Sequence, residues 1–461
     1  MKYRYLIYIL SLAILTACEP KIDEFSPSKG SADFTTYLAF GNSLTSGYAD
    51  NALYSGGQEN SYPNILANQF KTVGMQGDFK QPLMPTNNGV GVELTSGGLF
   101  LHTKYILGYA TDCLGQQSLA PVFADPDASQ TDLMNQLITS VADQGPFNNI
   151  GVPGLKSYEA LSVICQFNPY YARFKSPDAN FVLEEIPKIN PTFFTLWLGA
   201  NDIMRYASAG GASDSITSIP LFSSSMDAII TSLTQYGTKG AIATVPHITN
   251  IPFFNTVPYN AIVLTDQSLV DTLNLGYGVY NAFMEAMGME YRINFQLGAN
   301  PMVIADPTMP LPDSLAMLKM RQIKNTELVL LSIPQDSLKC AYWGSQIPVP
   351  DQFTLSESEI AAISDAIDNY NIKIKDLASL HPVALVDMNT YFNEFESGLV
   401  FDGINFNVKF IEGGLFSLDG VHLNHRGYAL IANYFIKDIN RTFNANIPLV
   451  NITDYQGTQF P

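Results

Sequence analysis

Apolar and polar positions along this chain predict short buried strands separated by amphipathic helices. Thr35 to Phe40 is an apolar run rich in strand formers, and it ends in the turn-like segment Gly41-Asn42-Ser43-Leu44-Thr45-Ser46-Gly47. In the same way Phe193 to Leu198 runs into Gly199-Ala200-Asn201-Asp202, Gly240 to Val245 into Pro246-His247, and Val383 to Val386 into Asp387. Helical spacing lies between them, at Tyr62 to Phe70, Met226 to Tyr236, Tyr277 to Tyr291 and Ser356 to Leu377. A last helix runs from Arg426 to Phe435 or beyond, with Asn424 placed to cap it. Strands that alternate with helices predict parallel βαβ units, so the fold class is α/β and the architecture a three-layer sandwich.

The polar residues that close these runs are the candidate chemistry. Ligands of open α/β sheets bind at the carboxyl ends of the strands, where backbone N–H groups are unpaired, and Ser43 would stand at such an end. Alone, Gly-x-Ser-x-x-x-Gly is a weak signal that fits a plain turn better. Asp419-Gly420-Val421-His422 precedes the cap of the last helix, which puts Asp419 and His422 in one loop. His425, three residues on, competes for the same role from the first turn of the helix. His422 is preferred because it completes Asp-x-x-His. His247 is read as a packed structural histidine beside the cleft, and His102 and His381 carry no signal.

Four blocks, Gly41-Asn42-Ser43-Leu44, Gly151-Val152-Pro153-Gly154, Gly199-Ala200-Asn201-Asp202 and Asp419-Gly420-Val421-His422, stand in this order. Together they resemble the SGNH/GDSL hydrolase family. The resemblance implies a flavodoxin-like α/β/α sandwich and hydrolysis of lipid esters, acylated glycans or thioesters without a cofactor. Carried over block by block, it makes Ser43 the nucleophile, His422 the general base and Asp419 the carboxylate that orients it. The oxyanion donors would be Ser43 N–H, Gly154 N–H and the Asn201 amide. Elementary chemistry agrees: a serine hydroxyl attacks well only if an imidazole takes its proton, and the charge that develops on the carbonyl oxygen needs donors aimed at it. The family's Gly-Asp-Ser-Leu is here Gly-Asn-Ser-Leu, so an amide replaces a carboxylate beside the nucleophile. The alternative is a non-catalytic acyl- or glycan-binding surface lipoprotein on the same fold. Its expected signature, a broken triad, is absent.

Spacing adds two insertions to the hydrolase domain expected over residues 34–461, at about 72–144 and about 298–350. The second carries Pro301, Pro307, Pro310, Pro312 and Pro348 around Thr326 to Ile333, a run that reads as a short strand. Loops this long are usually functional and suggest a lid or a substrate-shaping wall.

The N-terminus changes the expected location. Lys2 and Arg4 precede an apolar run from Tyr5 to Leu15 that is short for a membrane span, and residues 1–17 are read as a signal peptide. Leu15-Thr16-Ala17-Cys18 resembles a bacterial lipobox, which implies acylation of Cys18 and a lipid anchor in the cell envelope, at the outer membrane, on a periplasmic or surface face. Residues 18–33 then form the lipidated cysteine and a flexible tether.

With 461 residues, 46% of them hydrophobic, the chain can bury a large core. A net charge of -18 excludes a nucleic-acid partner, because phosphate binding needs clustered Lys and Arg. Cys113, Cys165 and Cys340 have neither the spacing nor the histidines of a metal site. One disulfide with a spare thiol and three buried thiols are both compatible with the sequence.

Overall fold

Five short strands pair into one parallel sheet: β1 (Tyr37–Gly41), β2 (Asn149–Gly151), β3 (Phe193–Trp197), β4 (Lys239–Ala243) and β5 (Val383–Val386). In this computed structural model, which describes residues 25–95 and 98–461, they stand in the order β2-β1-β3-β4-β5. That is the flavodoxin-like order, with its switch point between β1 and β3. Every residue of β1 and β3 is buried, as expected of strands covered on both faces. Strand β2 carries no signal of its own in the sequence, because three residues are too few to show a period.

The helices that position the site are α1 (Ser43–Ser46), α2 (Tyr62–Lys71), α3 (Asn201–Ala207), α4 (Ile219–Thr234), α5 (Gln267–Ala286), α6 (Glu357–Leu380) and α7 (His425–Phe443). Alternation along β3 decides which helices meet which face. Phe193 and Trp197 pack edge-on against Phe443 and Phe435 of α7, and Tyr62 of α2 stacks on Phe435. On α4 and α6, Phe222 stacks on Tyr370 with ring centroids 3.8 Å apart, and a Cβ on Gly199, just beyond β3, would meet Phe222 and Val245. One continuous core joins these layers. Helix α6 opens with a capping box in which Ser356 and Glu359 satisfy each other's backbone N–H. Helix α7 is capped by Asn424, which accepts from Gly427 N at 2.8 Å.

Helix α5 departs from the sequence reading. It begins ten residues before the expected Tyr277, ends at Ala286 and does not pack on the sheet. Its stripe of Val270, Leu273, Tyr277, Tyr280 and Met284 buries against Ile293, Phe295 and Val303 in a small core of its own. Of Thr326 to Ile333 only Leu328–Val329 is strand, paired with Thr354–Leu355. The segment after β1 forms two hairpins, Gly91–Thr95 with Gly98–His102 and Tyr105–Thr111 with Gln117–Phe123. The cysteines resolve as one disulfide, Cys113–Cys340, with Cys165 free and buried. Cys18 and the signal segment lie outside the described residues. Among the described residues no helix is long and apolar enough to cross a membrane.

Candidate active site

Parallel register places the site. Gly41, the last residue of β1, pairs with Gly151 of β2 on one side and Trp197 of β3 on the other, so three loops leave the sheet side by side. Position 41 must be glycine, since a Cβ there would lie 2.1 Å from Thr45 Oγ1 and 2.6 Å from Trp197 O. The chain then turns at once into α1, where Asn42 Oδ1 accepts from Leu44 N at 3.2 Å. This is what the amide at position 42 does: it caps the turn that presents Ser43.

Ser43 is buried, and its Oγ lies 2.8 Å from His422 Nε2. On the other side of the ring, His422 Nδ1 lies 2.8 Å from Asp419 Oδ2. His422 N and Val421 N both donate to Asp419 Oδ1 at 2.8 Å, and Ser417 Oγ donates to it at 3.0 Å. Asn51 N donates to Oδ2 at 3.0 Å. Burial opposes ionisation of this carboxyl, but the charge of His422 and these hydrogen bonds outweigh it and hold Asp419 well below the usual carboxylate range. A carboxylate anchored by so many donors fixes the imidazole's tautomer and direction.

The other two blocks converge on the same place. Ser43, Gly154, Asn201 and His422 all line one cleft of about 880 Å³. Gly154 has φ of +77°, a left-handed conformation that favours glycine. Asn201, the first residue of α3, donates from Nδ2 to Leu155 O at 3.2 Å. The next residue, Asp202, is fully buried and accepts from Ser157 N at 2.9 Å and Ser157 Oγ at 2.7 Å, which ties the Gly154 loop to α3. Burial pushes its carboxyl up to about 6. The cleft wall is largely apolar, with Leu44, Ile164, Phe167, Met204 and Phe392.

His425 stands apart from this constellation. Its Nε2 lies 3.2 Å from Tyr54 Oη, whose own proton goes to Asp50 Oδ2 at 2.8 Å, so the imidazole is the donor in that pair. Burial, with the charge of Lys104, lowers it to about 4 and keeps it neutral. His247 sits between the cleft-lining Pro246 and Ile248 and faces Asp368 at 3.4 Å.

Several residues of the site escape sequence reasoning. Arg205 Nη2 donates to Gly154 O at 2.7 Å while its guanidinium meets Glu159, so it holds the glycine's peptide in place. Its spacing of four from Asn201 on one helix face is the signal that could have found it. Tyr48 tilts its ring against His422 at 4.7 Å between centroids. Asp50 and Asn51, with φ of +51° and +59°, clamp the loop that carries Asp419 and His422: Asp50 Oδ1 accepts from Leu418 N, and Asp50 N donates to Ser417 Oγ. An Asp-Asn pair after Gly47 is a left-handed turn signal.

A doubly covered α/β sheet that presents a serine against an oriented imidazole is built for nucleophilic attack on a carbonyl, and the class it defines is the serine hydrolases. The family model of GDSL-like Lipase/Acylhydrolase matches residues 37–435. The chain belongs to that family and is an ester-hydrolysing serine hydrolase. Among solved structures it is similar to LAE5, an alpha/beta hydrolase enzyme from the metagenome of Lake Arreo, Spain, with 10% identity and a TM-score of 0.35 over 89% of this chain and 96% of that one. It is also similar to a candidate GDSL-like lipase from Parabacteroides merdae ATCC 43184, with 11% identity and a TM-score of 0.33 over 90% of this chain and 99% of that one. No curated protein sequence matches the chain.

Proposed function

We propose that the protein is a lipid-anchored esterase of the bacterial cell envelope that cleaves its substrate through an acyl-enzyme on Ser43. The observation that carries this reading is the unbroken line Ser43 Oγ, His422 Nε2, His422 Nδ1, Asp419 Oδ2, with both contacts at 2.8 Å. Ser43 Oγ bonds to the ester carbonyl carbon as its proton passes to His422 Nε2. The oxyanion so formed is met by Ser43 N–H, Gly154 N–H and the Asn201 amide. Each such donor contributes about 2.7–4 kcal/mol in the transition state. Collapse breaks the bond to the alcohol oxygen, which leaves with the proton from His422. Water then repeats the sequence, giving up its proton to His422 and releasing the carboxylic acid.

The apolar cleft wall favours an acyl chain longer than acetyl. Attachment through acylated Cys18 would hold the site close to lipid, and the lipobox-like Leu15 to Cys18 supports that reading.

The test is labelling with a fluorophosphonate. The wild type should label stoichiometrically and hydrolyse p-nitrophenyl esters. Ser43→Ala should do neither, and His422→Ala should lose nearly all turnover. Full activity of either variant would remove the assignment. Cys18→Ser, followed by membrane fractionation, tests the anchor: unchanged acylation would refute it.

A further inference from the structure

We infer that a second chamber, shared by His422 but not lined by Ser43, takes the alcohol half of the substrate, so that the enzyme acts on esters with a sizeable apolar group on both sides of the bond. This rests on the acyl-enzyme reading and extends it to the substrate.

The chamber is made by the two insertions. Cys113, in the turn of the Tyr105 to Phe123 hairpin, is bonded to Cys340 of the segment before β5, 227 residues away. Beside the disulfide, Lys339 Nζ meets Asp112 Oδ2 at 3.0 Å and Cys113 N donates to Asp336 Oδ1 at 3.2 Å. The insertions are thus clasped to each other by a covalent bond and two polar contacts. Between them lies a space of about 870 Å³, nearly the volume of the reactive cleft. Tyr105 and Leu119 wall it from one insertion, Leu338 from the other, and Val257 and Ala261 from the segment after β4. Asp419 and His422 contribute to its floor, and Asn51, Val421 and His422 line both spaces.

The chemistry of the step assigns the occupant. In the tetrahedral adduct the oxyanion is held by the Gly154 and Asn201 side of the cleft. The alkoxide that leaves must collect its proton from His422 Nε2, so the alcohol oxygen has to sit against that imidazole. The acyl arm stays in the cleft with Ser43, and the alcohol arm runs past Asn51, Val421 and His422, the residues that line both spaces. A wall of Leu119, Val257, Leu338 and Leu418 suits an alkyl or aryl alcohol better than a sugar. Neither methyl nor ethyl would use such a space.

The experiment compares butanoate esters of methanol, hexanol, decanol and benzyl alcohol on the full-length enzyme, so that only the alcohol varies. In the wild type kcat/KM should rise at least tenfold from methyl to decyl. Ala261→Trp, which fills the chamber, should cut the decyl-to-methyl ratio by at least tenfold, mainly through KM. An equal loss on every ester in that variant overturns the chamber's role. Should the variant not fold, the wild-type series decides alone: a flat dependence on alcohol size, with fluorophosphonate labelling of Ser43 intact, overturns the inference and spares the esterase reading. Absence of both labelling and turnover in the wild type would overturn the two together.

Discussion

The backbone N–H of Asn51 donates to Asp419 Oδ2 at 3.0 Å, across 368 residues of sequence, and the Asn51 side chain is itself held from the opposite direction. Its Nδ2 donates to Glu93 Oε1 at 2.8 Å and to Tyr105 Oη at 3.3 Å, one partner on each inserted hairpin. The insertion after β1 therefore reaches Asp419 through Asn51. Asn51 is a positioning residue with φ of +59°. Asn51→Ala should be less stable than Asn51→Gly by about 1–2 kcal/mol from the left-handed backbone. Both should lower kcat with little change in KM, since both release the turn from the hairpins. Urea unfolding beside steady-state kinetics separates the two effects, and a loss confined to KM would mean that Asn51 contacts substrate instead.

Asp419 is surrounded by donors, so replacing it with its isostere reverses the hydrogen bonding around it. In Asp419→Asn the three donors on Oδ1 hold the amide oxygen there, so the NH₂ takes the Oδ2 position, faces Asn51 N, and the imidazole loses the acceptor that sets its tautomer. kcat should fall by a factor on the order of 10⁴ with KM nearly unchanged. A fall of less than tenfold, measured on a p-nitrophenyl ester, would show that His422 keeps its orientation without the carboxylate.

Local signals and long-range contacts differ in how well the sequence exposes them. The strands that end in Ser43, Asn201 and Asp387 are legible because burial on both faces demands unbroken apolar runs, and their ends demand polar residues. Asn424 is legible as a cap because capping is local. Arg205 is not, because its partner Gly154 becomes a neighbour only when β2 and β3 flank β1. The apolar stripe of α5 shows that the helix has a buried face but not which core buries it, and here it is the small core it shares with Ile293, Phe295 and Val303. Cys113 and Cys340 pair for the same long-range reason, which spacing cannot reveal. The choice of His422 over His425 rests on the Asp-x-x-His pattern, and the structure brings His422 alone of the two to Ser43 Oγ.

Two groups whose ionisation is opposed by burial, His425 in part and Asp202 in full, should give opposing pH dependences of stability. His425 sits at about 4 against an ordinary 6.5, so the unfolded chain binds the extra proton between these values. Its contribution is complete above pH 6.5 and is lost as pH falls to 4, on the order of 3 kcal/mol. Asp202 is raised to about 6 from 3.8, so its contribution is complete below pH 3.8 and is lost as pH rises to 6. The two largely cancel in the wild type. His425→Gln should therefore become more stable relative to wild type as pH drops from 7 to 4.5, and Asp202→Asn less stable. Urea titrations at the two pH values check the signs, and a difference from wild type that does not move with pH would contradict both assignments.

Asn201 offers the sharpest division between binding and catalysis. A side-chain amide has two N–H donors, and one of those on Asn201 Nδ2 goes to Leu155 O at 3.2 Å. Asn201 also lines the cleft, and the second hydrogen is the one the proposed oxyanion contact would use. A donor that matters most in the transition state should show in kcat and not in KM. Asn201→Ala should lower kcat by a factor on the order of 10²–10³. Asn201→Asp should be worse, since a carboxylate would repel both the oxyanion and the Leu155 carbonyl. The measurement is kcat and KM on a short-chain ester for both variants. If Asn201→Ala keeps its kcat and only KM rises, Asn201 holds the substrate in the ground state, and the third oxyanion donor has to come from another residue of the cleft.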